Sequence, residues 1–312
     1  MEIINKEKKL ISAIIYLHNN EDTIVGFLKK IITILSSSFE KHEIIIVNDC
    51  SLDNSLQLMK EDVILKGQNI SVISMSVYQG LEISMCAGID LSMGDFVYEF
   101  DDLNIDYDLN LILQSYNQVI KGFDIVSVSP RQSNSFFSRV FYKVFNKFSK
   151  SKYKVRSERF RILSRRAINR AYSISKSIPY RKALYVNSGL KMDTIEYNTT
   201  SKIVRYSSKE TSLFRNKMAI NSFIIYTNLA FKISIGITLI LFLFTMLTSI
   251  YTFFVFFSAK KPIEGWTTLM LLISGSFSGI FFILAIIIKY LSLLIEIVYS
   301  KKTYLVESVD KI

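Results

Sequence analysis

The stretch "EIIIVNDCSLDNS", Glu43 to Ser55, sets the reading of the whole chain. Ile44, Ile45, Ile46 and Val47 are too continuous for a strand with one wet face and fit a strand buried on both. The run stops at Asn48, Asp49, Cys50 and Ser51, and Asp53 and Asn54 follow before a helical pattern begins. One explanation is turn and cap chemistry, with Asp53 as an N-cap. The other is the carboxyl edge of a parallel sheet, where open α/β proteins hold their ligands.

Outward from this stretch, apolar runs of strand length alternate with longer helical patterns. The spacing predicts strands over 10–17, 43–47, 70–75, 95–100 and 124–128, and helices over 21–36, 53–66, 81–92 and 109–121. Such alternation means βαβ units and a mainly parallel sheet covered by helices on both faces, an α/β fold. Three strand ends carry polar clusters: His18, Asn19, Asn20 and Glu21; Asn48, Asp49, Ser51 and Asp53; Asp101, Asp102 and Asn104. Three clusters converging on one edge favour a site over three unrelated turns.

Composition narrows the chemistry. The chain has 11 Gly and contains neither G-x-x-x-x-G-K nor G-x-G-x-x-G, which disfavours a P-loop nucleotidase and a dinucleotide-binding Rossmann enzyme. Two cysteines, Cys50 and Cys86, exclude a disulfide scaffold and a cysteine-rich zinc site, and read as small packing residues. His18 and His42 are too few for a histidine-built metal centre and read as structural. If a nucleotide binds, its diphosphate needs another neutraliser. A metal on carboxylates suits that task, since Mg²⁺ favours one or two carboxylates plus substrate phosphates.

The net charge of +11 is uneven. Between Lys143 and Lys182, fourteen Lys or Arg face one acidic residue, Glu158, which points to an anionic partner. Within "NSFFSRVFYKVFNKF", Phe137, Phe141, Val144, Phe145 and Phe148 share a helical face interleaved with Arg139, Lys143 and Lys147. That face suits a helix at a lipid interface or one packed on the first domain. Ile233 to Phe257 and Thr267 to Ile288 are uncharged runs of 25 and 22 residues, each exceeding the roughly 20 residues that cross a bilayer core. The chain therefore divides into a domain over 1–208, a juxtamembrane helix over 209–232, a two-helix hairpin over 233–288 and a tail over 289–312. The joining loop holds Lys260 and Lys261 against Glu264. The other side holds Lys209, Arg215, Lys217 and Lys232 before the first span and Lys289, Lys301 and Lys302 after the second. This bias puts the first domain and the tail in the cytoplasm. Gly275 and Gly279 share one helix face and predict close helix packing, within the hairpin or between subunits of a homo-oligomer.

In order and spacing the chain resembles family-2 glycosyltransferases of the GT-A fold, more narrowly the membrane group that loads a sugar onto a polyprenyl phosphate. The resemblance rests on "HNNED" after the first strand, "VNDCSLDNS", "GLEISMCAGIDLSMGD", "FDDLN", "FRILSRRAI", "SKETSLFRNKMAI" and the tail "KYLSLLIEIVYSKKTYLVES". It implies a nucleotide-sugar donor, an undecaprenyl or dolichyl phosphate acceptor, the lipid bilayer as support, and residence in a bacterial inner membrane; no nucleic acid is expected, because the basic stretch leads towards the two spans. It places Asn19, Glu21, Asn48, Asp49, Ser51 and Gly80 around the donor. It makes Asp101 and Asp102 the ligands of Mg²⁺ or Mn²⁺, and Arg131, Arg161 and Arg165 the binders of lipid phosphate or diphosphate. The departures are Asn20 for a glutamate, Asn48 for an aspartate, Cys50 for a glycine, Val77-Tyr78 for Arg-Asn, and Arg159 for an acidic residue. The contiguous Asp101-Asp102 replaces Asp-x-Asp, and both can serve one ion only where the strand has already ended, since alternate strand residues face opposite ways. Transfer to another lipid acceptor, and a membrane scaffold built on a worn transferase fold, are the competing readings.

Overall fold

The computed structural model describes residues 6–131, 142–143, 146–147, 153–174, 180–199, 229–257, 263, 265–298 and 304–311. The expected juxtamembrane helix up to residue 228 and most of the aromatic stretch around Phe141 lie outside the described residues. The rest forms two compact units.

The first unit is an eight-stranded sheet in the order β7-β5-β6-β4-β1-β2-β3-β8. Its strands are β1 (Glu7–Leu17), β2 (Phe39–Asn48), β3 (Ile70–Met75), β4 (Phe96–Phe100), β5 (Ile125–Pro130), β6 (Phe160–Ser164), β7 (Met192–Tyr197) and β8 (Val306–Lys311). Its helices are α1 (Ile24–Ser38), α2 (Ser55–Glu61), α3 (Leu81–Leu91), α4 (Asn110–Ile120), α5 (Arg165–Ile174) and α6 (Arg181–Val186). The central pairs β1–β2, β1–β4 and β2–β3 are parallel, as the continuous apolar runs predict. Helix α2 is shorter than expected, because Asp62 ends it by accepting the Ile64 and Leu65 amides.

Burial on both faces follows from strand alternation. Ile11, Ala13 and Ile15 of β1 face one core with Phe27 and Ile31 of α1 and Ile112 of α4. Ile14 faces the other with Met85 of α3, Ala167 of α5 and Leu184 of α6. Gly88 of α3 permits the close approach, since a Cβ there would lie 2.5 Å from Ile14 Cγ2.

The sheet departs from the five-strand expectation at one place that matters. Strand β6 inserts antiparallel between β4 and β5, and its register sets Arg161 beside both Glu99 and Ser127. At the far edge β8 pairs antiparallel with β3.

The second unit consists of α7 (Leu229–Phe257) and α8 (Trp266–Val298). Ile235–Phe257 and Trp266–Leu291 are long and apolar enough to cross a membrane. The two helices meet through a hydroxyl pair, Ser249 Oγ and Ser274 Oγ, 3.0 Å apart. A Cβ on Gly275 or Gly279 would meet nothing within 4 Å, so those glycines do not make the contact within the pair.

Candidate active site

The carboxyl ends of β1, β2 and β4 bring the three polar clusters to one edge, and the loops there are tied to one another. Asn19 accepts the Leu52 amide at 2.8 Å through Oδ1, while its own amide donates to Ser51 Oγ at 3.1 Å. Glu21 Oε2 accepts the Asn54 amide, and the Glu21 amide donates to Asp53 Oδ2, both at 2.9 Å. Asn48 Oδ1 accepts the Ser51 amide at 3.1 Å. Asn19 and Cys50 both adopt left-handed backbone, at φ 51° and 55°. Asn tolerates that region, whereas at Cys50 the conformation is strained.

Asp49 is fully buried under three donors. Its Oδ1 accepts the Gln79 amide at 2.8 Å, and its Oδ2 accepts the Gly80 amide at 2.8 Å and the Tyr16 hydroxyl at 2.9 Å. Burial, and then the Asp49 carboxylate, push the Tyr16 phenol far up, so it stays a donor. The His18 and Tyr78 rings lie 4.7 Å apart on the same edge. Asp49 is thus the clamp that joins the β2 loop to the start of α3, with Gly80 supplying φ 84° just before the helix.

The acidic doublet begins after β4 has ended at Phe100, which is the condition two adjacent carboxylates need to share a side. Asp101 is nonetheless already engaged. Its Oδ2 accepts Arg161 Nη2 at 2.5 Å and its Oδ1 accepts Arg181 Nη2 at 2.6 Å. Burial alone would raise its carboxyl; Arg161 and Arg181 more than offset that and hold it well below the usual carboxylate range. Arg161 also reaches Glu99 Oε2 at 2.6 Å and Glu158 Oε2 at 2.9 Å. Arg181 Nε meets Glu82 Oε2 at 3.0 Å, and its Nη1 lies 2.8 Å from Glu99 Oε2 without a well-aligned hydrogen bond. Tyr185 closes the group by donating to Glu99 Oε1 at 2.6 Å.

Asp102 belongs to a neighbouring set. Its Oδ1 accepts from Asn104 and its Oδ2 from Arg159 Nη1 at 3.1 Å, while Arg159 grips buried Asp106 with Nε and Nη2. The Asp102 side chain keeps 32% of its surface exposed, against 8% for Asp101.

Two of the expected anion binders are engaged within the protein. Arg161 is buried with every guanidinium nitrogen on a carboxylate. Arg165 follows β6, which runs antiparallel to β4, so it lies at the opposite sheet edge, where it donates to the Ser92 and Gly94 carbonyls. Arg131, just past β5, stays on the carboxyl edge with 61% of its side chain exposed and Glu196 4.0 Å away. Sequence reasoning missed Arg159, Arg181, Glu82 and Glu99. They read as part of a basic stretch, a helix and a strand, although three cations of that stretch are internal counter-charges.

No group of three or more His, Cys, Asp or Glu placed to hold a metal occurs among the described residues. The donor set still fits a divalent cation by charge. Among the described residues, Glu82, Glu99, Asp101, Asp102, Asp106 and Glu158 face only Arg159, Arg161 and Arg181 within salt-bridge distance. Lys182 acts on Asp101 from farther away, and carboxylates still outnumber cations. A poorly hydrated surplus of negative charge with one reachable carboxylate, Asp102, favours cation binding.

Comparison with known proteins agrees with this architecture. The model of the family described as "Glycosyl transferase family 2" matches residues 12–173. An uncharacterised glycosyltransferase of Synechocystis, sll0501, is 26% identical over 60% of this chain and 60% of its own length. YkcC of Bacillus subtilis, also an uncharacterised glycosyltransferase, is 21% identical over 95% of this chain and 93% of its own. An undecaprenyl-phosphate 4-deoxy-4-formamido-L-arabinose transferase of Aeromonas hydrophila is 23% identical over 46% of this chain and 44% of its own. The chain thus spans under two thirds of the first of these relatives and under half of the third. Among solved structures, glucosyl-3-phosphoglycerate synthase from Mycobacterium tuberculosis, in complex with Mn²⁺, UDP and phosphoglyceric acid, superposes with a TM-score of 0.52. It shares 14% identity over 69% of this chain and 78% of its own, and shows the shared fold.

Proposed function

The chain belongs to glycosyl transferase family 2, and we propose that it is a glycosyltransferase that moves a sugar from a nucleotide-sugar to a polyprenyl phosphate at the cytoplasmic face of a membrane. The observation that carries this reading is the meeting, on one sheet edge, of the Asp49 clamp with the acidic doublet, in a chain whose second unit is two apolar helices. The undecaprenyl-phosphate transferases among the relatives support the acceptor class.

In this reading the loops after β1 and β2 take the nucleoside, ordered by the Asn19, Glu21, Asn48 and Ser51 hydrogen bonds. Asp102, with Asp101 behind it, would hold Mg²⁺ or Mn²⁺, which supplies positive charge against the donor diphosphate. Arg161 and Arg181 keep Asp101 ionised and fixed. Arg131, exposed on the same edge, would meet the acceptor phosphate through a guanidinium whose geometry suits bidentate contact. An acceptor phosphate oxygen bonds to the anomeric carbon as the bond to the diphosphate breaks. The nucleophile is already ionised, so positioning and charge neutralisation dominate.

The test is transfer itself. The full chain, purified in detergent, is offered common nucleotide-sugars with undecaprenyl or dolichyl phosphate, and radiolabel is followed into the lipid phase. Label in the lipid phase that needs Mg²⁺ or Mn²⁺, and is lost in the Asp101→Ala/Asp102→Ala double variant while the protein still inserts, is the expected result. Full activity in that variant overturns the metal assignment. A wild type inert with every donor favours the scaffold reading.

A further inference from the structure

The β3–α3 loop, which clamps Asp49, is held from its other side by the end of the chain. Gln79 donates through Nε2 to the Leu305 carbonyl at 2.7 Å and accepts the Leu305 amide at 3.1 Å through Oε1, so one side-chain amide satisfies both main-chain groups of a residue 226 positions away. The Ser76 amide donates to the same carbonyl at 3.2 Å. Beyond Leu305, β8 continues along β3 from Val306 opposite Met75 to Lys311 opposite Ser71. Before it, the Tyr304 hydroxyl donates to Asp90 Oδ2 at 2.8 Å, tying the tail to α3. The main-chain amide of that same Gln79, and that of Gly80, are two of the three donors on buried Asp49.

We propose that the C-terminal segment Tyr304–Lys311 is a latch that sets the donor pocket, with Gln79 as its positioning residue. Among the described residues, Leu305 is the tail-side main-chain partner of the segment 76–80 where it leaves β3. Fixing Gln79 from outside fixes the direction of its amide and the next, and those two amides hold Asp49. With the tail in place the loop is ordered before the nucleotide arrives, which lowers the entropy lost on binding. With the tail released, Gln79 exchanges two protein hydrogen bonds for water and the loop gains freedom. The tail strand itself is mostly exposed, so it contributes order to this loop more than burial to the core. In sequence β8 follows α8, so the latch makes the order of the donor pocket depend on a segment whose other end leaves the apolar helices.

The inference that this pocket takes a nucleotide rests on the function proposed above, so the experiment has two readouts. The full chain in detergent is compared with Gln79→Met, with a variant lacking residues 304–312, and with both changes combined. Hydrogen exchange of the ligand-free proteins reads the latch alone. Amides of Gln79 and Gly80 are expected to lose about ten-fold or more of their protection in each variant, with the β1 and β2 amides unchanged. Titration with UDP and with GDP in the presence of Mn²⁺ reads the pocket. The dissociation constant is expected to rise about ten-fold in either single variant and no further in the combination, with kcat within about two-fold of wild type at saturating donor. Unchanged protection in Gln79→Met overturns the latch. Lost protection with unchanged nucleotide affinity, or additive losses in the combined variant, overturns its action on the pocket. Lost protection in a chain whose wild type binds neither nucleotide upholds the latch and removes the donor reading instead.

Discussion

Arg181 Nη2 meets Asp101 Oδ1 at 2.6 Å across eighty positions of sequence, the guanidinium fully buried and the carboxylate 8% exposed. A guanidinium with no exposure is held there by the carboxylates of Glu82, from α3, and of Glu99 and Asp101, from the end of β4. Removing it leaves Glu99 and Asp101 to Arg161 and takes from Glu82 its ion pair. Arg181→Met is therefore expected to destabilise the sheet unit by about 3–5 kcal/mol, the usual cost of breaking a buried pair from one side. Arg181→Lys is expected to lose less, and thermal unfolding of the detergent-solubilised chain reads the order. Equal stability of Arg181→Met and wild type would contradict the buried network.

The same pair sets an acid limb. The Asp101 carboxyl is held well below its usual range in the folded chain, so the folded state binds fewer protons than the unfolded state at low pH. Its contribution is fully present above the ordinary carboxylate value of about 4 and is lost as pH falls below it. Stability is expected to show no slope from this group between about pH 5 and 8 and to decline with acidification below about pH 4. Asp101→Asn is expected to be less stable at neutral pH and to show a shallower acid decline. Denaturant titrations at stepped pH measure both.

Cys50 adopts φ 55° at the corner between β2 and α2. A left-handed non-glycine residue costs about 1–2 kcal/mol, and glycine adopts that region freely. Cys50→Gly is expected to stabilise the chain by about 1 kcal/mol without altering the Asp49 contacts, since glycine offsets part of the gain with its greater unfolded-state freedom. A destabilised Cys50→Gly would place the strain elsewhere.

Arg131 and Arg165 are separated by the length of β6 and by task. Arg131→Ala is expected to raise the KM for polyprenyl phosphate about ten-fold or more while leaving the melting temperature within a degree or two. Arg165→Ala is expected to do the reverse. It strips the donors from the Ser92 and Gly94 carbonyls, lowering stability by about 1–3 kcal/mol with the KM near wild type. An acceptor KM that responds to Arg165 and not to Arg131 would reverse the assignment.

The central strands and their helices were legible because continuous apolar runs admit few arrangements other than a sheet covered on both faces. The polar ends at Asn19, Asn48 and Asp101 were legible for the same reason, since parallel strands share a carboxyl edge. Strand β6 was less so. "FRILS" carries Arg161 at its second position, and a five-residue strand with a buried cation makes sense only beside Glu99 of β4. The basic stretch misled in part, because a count of charges cannot separate surface lysines from Arg159, Arg161 and Arg181, which the fold turns inward.

Local pattern, then, determined the alternation of strands and helices, the apolar pair near the end, and which loops gather on one edge, because periodicity and length act on neighbouring residues. The tertiary structure alone decided which carboxylate is locked and which is reachable, that Arg165 stands at the wrong edge for a ligand, and that Gln79 holds the chain's own end. Those outcomes depend on pairs 57 to 226 positions apart, and an ion pair or a hydrogen bond forms by distance in space, to which spacing along the chain is blind.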